Sequence, residues 1–352
     1  MLAEGNVAAV TGFSFSSTLN LLRLGKEKDA RALLEEAWAR DPFNERTRNT
    51  LDLYDQRIDQ HYSERKVGDL VVRLPNEDRD LIEPVVVDAV RTSRDALDAA
   101  YHVKAGELRL EFFADPNDFS IRTVGVPSLG AVAVCFGPVI TFIGPYMGRF
   151  NIDNVVRHEL GHVYAIRISK GRVPRWFTEG LSEWESELAD PAYARESAQL
   201  LMSARRAGKL RRLGELELAF IRAESPQMME VAYSTAAYAI RYLGSTYGRD
   251  KLIAMLEGYG QGKHTDELMQ AHLGKPLSEV EREFEAWFFG QLDGVFSGWQ
   301  PAAEPENADE RDALFKKAVG AMESRDRDAA IAALEELVSH DGDGFLPRMM
   351  LA

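Results

Sequence analysis

The chain has 352 residues, is 45% apolar with five Trp, and carries a formal charge of −14. Its length allows more than one domain and its apolar content supports a proper core, while the excess of acid argues against a nucleic acid or an anionic membrane as main partner, since both demand a basic face. The single cysteine, Cys135, excludes an internal disulfide and a thiolate metal cluster, and its apolar surroundings mark it as a packing residue.

Residues 1–15 contain Glu4 and no basic segment, unlike a secretory leader, and no run is long and apolar enough to span a membrane. The expectation is a cytoplasmic chain, or a cell-envelope or periplasmic one whose leader has been trimmed. Ala30, Leu34, Ala37, Asp41 and Pro42 follow the small/large spacing of a tetratricopeptide helix pair, and Ala330, Leu334, Leu337, Asp341 and Gly342 repeat it near the other end. Such repeats bury their apolar faces on neighbours, so these flanks should pack on the central domain or belong to a longer array that could hold a protein partner.

Residues 70–74 have strand character, a helix is predicted from 78 to 102, and residues 108–113 alternate in the strand period. Two further β-rich runs, 130–136 and 139–143, are separated by a Gly137-Pro138 turn. From 155 to 168 an apolar-rich run without proline predicts a helix, with Asn and Asp at 151–154 for an N-cap. Pro174 opens another, in which Phe177, Leu181, Trp184 and Leu188 form an inward stripe. Residues 191–292 read as helical; within them the basic run 205–212 is a solvated face or a contact for an acidic substrate or partner. Residues 300–307 read as a linker by their Pro and Glu content. The chain ends inside a helical pattern at Met349-Met350-Leu351-Ala352, which reads as a truncation.

The chemistry lies in the two central helices. His158-Glu159-Leu160-Gly161-His162 places two imidazoles at i and i+4, one above the other on a helix, so both can face one ion while Glu159 reaches the ion's water. Hydrolytic zinc takes a third ligand and leaves the fourth position open. Glu179 is the candidate third ligand. Glu183, one turn on, is expected to accept the spare N–H of a ligating His and so fix its tautomer. Gly161 inside a helix costs about 1 kcal/mol against Ala, tolerable if another backbone must pass close by. His61, His102, His264, His272 and His340 have no ligand spacing. The metzincin pattern fails, because Ala165 and Ile168 stand where it needs Gly and His.

Together, H-E-L-G-H at 158–162 and W-F-T-E-G-L-S-E-W at 176–184 resemble the gluzincin metallopeptidases, and residues 69–292, with Tyr242-Leu243 and Tyr247-Gly248, resemble the bacterial peptidase MA-like domain. The resemblance implies an α+β, mostly α, thermolysin-like fold with a small N-terminal sheet and a helical C-terminal part. It divides the chain into a tetratricopeptide-like segment at 1–64, a peptidase domain at 65–295 (sheet-bearing to 150, helical from 151), a linker at 296–311 and a truncated tetratricopeptide-like segment at 312–352. It implies Zn2+ on His158, His162 and Glu179, Glu159 as general base, and Tyr233 as stabiliser of the developing oxyanion, although the Lys-Gly that accompanies that Tyr in aminopeptidases is missing. It also implies a substrate-pairing sheet edge, placed at 130–134.

The expected activity is zinc-dependent hydrolysis of a peptide or protein substrate. Absence of the aminopeptidase amine anchor near Gly130 tilts it towards endopeptidase action. Two alternatives stay open: hydrolysis of a non-peptide substrate, and a non-catalytic scaffold that binds partners through its repeats and keeps a vestigial or structural metal site.

Overall fold

A computed structural model of the protein describes residues 15–144, 151–194, 197–295, 308–324 and 326–340. The chain divides into two compact units, Met1–Leu292 and Asp293–Ala352. In the first, α1 (Phe15–Arg23), α2 (Glu27–Arg40) and α3 (Glu45–Asp52) lead through a π-turn at Leu53–Ile58 into the sheet. Asn44 caps α3 by accepting the Thr47 N–H at 3.1 Å. Leu22, Ala30, Leu53, Tyr54 and Ile58 bury against Phe113 and Phe119, so these helices share a core with the sheet rather than standing apart.

The sheet consists of β1 (Tyr62–Val67), β2 (Leu70–Pro75), β3 (Leu108–Phe113), β4 (Ala133–Cys135) and β5 (Val139–Ile143), in the order β1-β2-β3-β5-β4. The outer pairs are antiparallel; β2/β3 and β3/β5 are parallel. Parallel neighbours need long crossovers. The 23-residue α4 (Arg79–Tyr101) carries the first, and α5 (Pro116–Val124) lies in the second. Two of these elements are absent from the sequence reading. β1 is a charged edge strand whose exposed residues carry no apolar alternation, and α5 is short, although Asp115 as N-cap and Pro116 in its first turn announce it.

β3 also differs from its surface pattern. Its polar positions face inward, because the N-terminal helices and α5 cover that side. Fully buried Glu111 meets Arg122 at 2.8 Å, Arg109 at 2.6 Å and Arg73 at 3.5 Å. Glu27 of α2 and Glu64 of β1 close the network on Arg73 and Arg109. Three cations thus have three carboxylates, which is the condition for burying charge without large cost.

Helices follow the sheet: α6 (Ile152–Ile168), α7 (Arg175–Ala189), α8 (Ala198–Arg206), α9 (Leu216–Ile221), α10 (Pro226–Tyr247), α11 (Arg249–Gly260), α12 (Thr265–Leu273) and α13 (Leu277–Val295). The fold is α+β and mostly helical, as the sequence predicts. The larger core cluster runs from Val86 and Phe112 through Leu160 and Phe177 to Leu243 and Phe284. Where α6 crosses α7, a Cβ on Gly161 would lie 2.9 Å from Ser182 Cα, and where α7 crosses α10, one on Gly180 would lie 2.3 Å from the Ala236 carbonyl oxygen. Neither distance is tolerable, so glycine at both positions lets three backbones approach. The apolar stripe of α7 ends at Trp184, whose ring covers Gly244; Leu188, expected inside, is 51% exposed in the last turn.

Beneath the crossing, fully buried Glu185 of α7 accepts from Arg157 of α6 (3.0 Å), Tyr101 of α4 (2.8 Å) and Arg249 of α11 (2.8 Å). One carboxylate therefore ties together four helices. In the second unit, α14 (Ala308–Glu323) and α15 (Arg327–His340) pair through Ala318, Ala333 and Leu334. The repeat positions Ala330, Leu334 and Leu337 are buried there, as Ala30, Leu34 and Ala37 are in α2. The linker at 300–307, residues 1–14, Asp341-Gly342 and the final tetrad lie outside the described residues. Among the described residues no helix is long and apolar enough to cross a membrane.

Candidate metal centre

α6 begins where Asn151 accepts the Asn154 N–H at 3.2 Å. This cap sets the helical phase, and two turns later His158 and His162 project side by side, their ring centroids 4.9 Å apart and their Nε2 atoms 3.2 Å apart. α7 starts behind Pro174 as N-cap, and its first turns bring Glu179 to the pair: Oε2 stands 3.2 Å from His162 Nε2 and 3.7 Å from His158 Nε2. One ligand atom from each of the three lies within 4.8 Å of the others. Among the described residues, no fourth His, Cys, Asp or Glu joins the group.

The outer nitrogens of both imidazoles are engaged. His162 Nδ1 and Thr178 Oγ1 stand 2.7 Å apart, within hydrogen-bond distance, and His158 Nδ1 lies 3.5 Å from Glu183 Oε1. Partners beside both Nδ1 atoms suit a tautomer in which the proton points outward and the Nε2 lone pair turns to an ion when one is bound, the state a metal ligand needs. Glu183 lies beside His158 Nδ1; Thr178 was not anticipated, although it immediately precedes Glu179 in the second motif.

Glu159 is buried beside this group, and its Oε2 has no hydrogen-bond partner among the described residues. Burial, together with the charges of Glu179 and Glu183, pushes its carboxyl up to about 7 against the opposing pull of His162. For Glu179 burial also favours the neutral acid, but the charge of His162 and hydrogen bonds from both imidazoles overcome it and hold the carboxyl well below the usual range. Neighbouring carboxylates thus differ in readiness to ionise, a separation typical of reactive sites.

Tyr233, half-buried in α10, directs its hydroxyl at the same carboxylate, donating to Glu179 Oε1 at 3.3 Å. Tyr238 and Tyr242, which share its helix, bury in the core instead. Arg175, four residues before Glu179 and so on the same helical face, donates from Nη2 to the Tyr233 hydroxyl at 2.9 Å and from Nε to Glu179 Oε1 at 3.3 Å. Its guanidinium lies 5.2 Å from the centre of the Phe220 ring. Arg175 and Phe220 were missed: the first was legible from its i, i+4 spacing, whereas the second comes from α9 and has no local signal.

Cys135 is partly buried on β4 and packs against the core, with its sulfur accepting the Gly137 N–H at 3.3 Å. Burial of the sulfur and the charge of Glu159 hold the thiol well above its ordinary range. β4 is the terminal strand of the sheet, at 133–135 where the sequence reading placed the edge at 130–134.

Two imidazole nitrogens and one carboxylate oxygen are a donor set that can hold a divalent metal ion, and the outward partners of the imidazoles and the orphaned Glu159 oxygen fit such an ion. No curated protein matches the chain at a significant level. Residues 130–290 match the family model of the Peptidase MA superfamily, and the stretch that carries every one of these site residues is therefore a peptidase-MA-like domain.

Proposed function

We propose that this protein is a zinc-dependent peptidase of the gluzincin type that cleaves internal peptide bonds. The observation that carries the reading is convergence: His158, His162 and Glu179 present three ligand atoms to one point, and buried Glu159 stands next to it with its Oε2 unpaired among the described residues. His158, His162 and Glu179 would hold the ion, which when bound supplies Lewis acidity to a scissile carbonyl and acidity to a water.

The chain's own groups do the rest. Glu159 takes the proton of the attacking water and returns it to the leaving amine. Tyr233, already within hydrogen-bond distance of Glu179, turns its O–H to the oxygen on which negative charge develops. Arg175 holds the phenol in place from the other side. Glu183 and Thr178 fix the imidazole tautomers. The free edge of β4 is the place where an extended substrate would add as a further strand.

Glu159→Gln tests the reading. This variant should retain zinc, measured by elemental analysis, and lose cleavage of casein or of a quenched peptide by about a thousandfold. Cleavage at the parental rate would remove Glu159 from the mechanism, and with it the assignment.

A further inference from the structure

A cavity of about 260 Å³ opens between α9, the first turns of α10 and the segment 208–211. Leu216, Val231 and Ala232 form buried apolar walls, and none of His158, Glu159, His162, Glu179 and Tyr233 lines it. Lys209, Arg211 and Arg222 stand round its mouth with a single carboxylate, Glu224.

The charges there are unusual for this chain. Acids outnumber bases by 56 to 42, so a carboxylate is generally within reach of a cation. Arg212, the next residue, pairs with both Glu281 and Glu285. Lys209, Arg211 and Arg222 make no ion pair among the described residues, although all three belong to or face the one basic run of the sequence. Long cationic side chains can lay their stems along an apolar wall and keep their charge at the rim. Apolar walls at Leu216, Val231 and Ala232 beside such cations match a ligand with a hydrocarbon body and an anionic end.

We propose that this cavity binds an aliphatic carboxylate, with its chain against Leu216, Val231 and Ala232 and its carboxylate between Arg211 and Arg222. A guanidinium can meet a carboxylate through two parallel hydrogen bonds, and Lys209 adds charge without that geometry. The same chemistry is presented by a free medium-chain acid and by the C-terminal aliphatic residue of a peptide. This site stands independently of whether the metal centre hydrolyses peptides.

The test is calorimetric titration of the full chain with octanoate, octanol, acetate and N-acetyl-leucine. Octanoate should bind at a single site about tenfold more tightly than either octanol, which lacks the charge, or acetate, which lacks the chain, and more weakly as salt is raised. Tighter binding of N-acetyl-leucine than of octanoate would identify a peptide C-terminus as the source, and the reverse order a free acid. The double variant Arg211→Gln/Arg222→Gln, on exposed positions, should weaken octanoate about tenfold and leave octanol unchanged. Ala219→Leu, which fills the cavity from α9, should weaken both, with an unchanged circular-dichroism spectrum showing that the fold is intact. Equal affinity for octanoate and octanol, parental affinity in the double variant, or no saturable binding of octanoate would each overturn the proposal.

Discussion

Glu179 uses its two oxygens differently. Oε2 faces the imidazole pair, while Oε1 is taken by Arg175 and Tyr233. That division leaves one oxygen for a metal and makes the other the anchor of the group proposed to meet the oxyanion. Tyr233→Phe should therefore keep the metal and lower turnover by about a hundredfold with little change in KM, since the hydroxyl acts on charge that develops only in the transition state. Steady-state kinetics check this, and an unchanged kcat would return Tyr233 to the packing role its neighbours Tyr238 and Tyr242 have. Thr178 acts at one remove, through the hydrogen bond between its Oγ1 and His162 Nδ1. Thr178→Val should weaken zinc binding by about 10- to 100-fold, read by competition with a chromophoric chelator.

At the scale of elements, the centre exists because α6, α7 and α10 lie close together. Gly161 and Gly180 permit that approach, and Glu185 with Arg157 locks it from below. Gly161→Ala is a sensitive probe because two effects compete. Alanine gains about 1 kcal/mol in helix propensity, whereas the new methyl would press on Ser182 and force the helices apart at a cost of about 1–3 kcal/mol. The close approach to backbone decides the sign. The variant should be destabilised, with a lower urea midpoint and weakened zinc binding, since His162 stands one residue further on. A raised midpoint would mean that the crossing has slack.

For the whole first unit, the buried network round Glu111 joins the N-terminal helices to the sheet and makes stability depend on acid. Burial alone would raise the Glu111 carboxyl, but Arg122, Arg73 and Arg109 outweigh it and bring it from 4.5 down to about 2. A depressed folded pKa means that the unfolded chain takes up the proton first. This stabilisation is complete above the unfolded value, shrinks as pH falls below about 4.5 and is lost through about 2. Urea midpoints measured across that window should fall steeply for the parent. Glu111→Gln should be less stable at neutral pH, since three arginines lose their shared partner, and should show a shallower fall. Equal slopes would show that other carboxylates govern the acid limb.

Much of this protein is written locally. The helix of the two histidines, its Asn151 cap, the Pro174 start, the position of Glu183 and the strands at β2, β3 and β5 all follow from spacing, capping and period, which act over a few residues and need no partner. The mostly helical α+β class follows from the same signals. What they leave open is whatever depends on a neighbour distant in sequence. β1 was hidden because an edge strand rich in charge has no apolar rhythm. Arg109 and Glu111 alternate as if one side of β3 faced water, and only the helices laid over that side turn them into a buried network. Phe220 reaches Arg175 and Tyr233 solely through the packing of α9. The reason for Gly161 is the passage of Ser182, twenty-one residues on. The sequence by itself determined which side chains are able to bind an ion and in what phase they leave their helices. Only the tertiary structure decided that Oε2 of Glu179 meets them, since convergence of separate helices depends on close packing, and packing is a property of the folded whole.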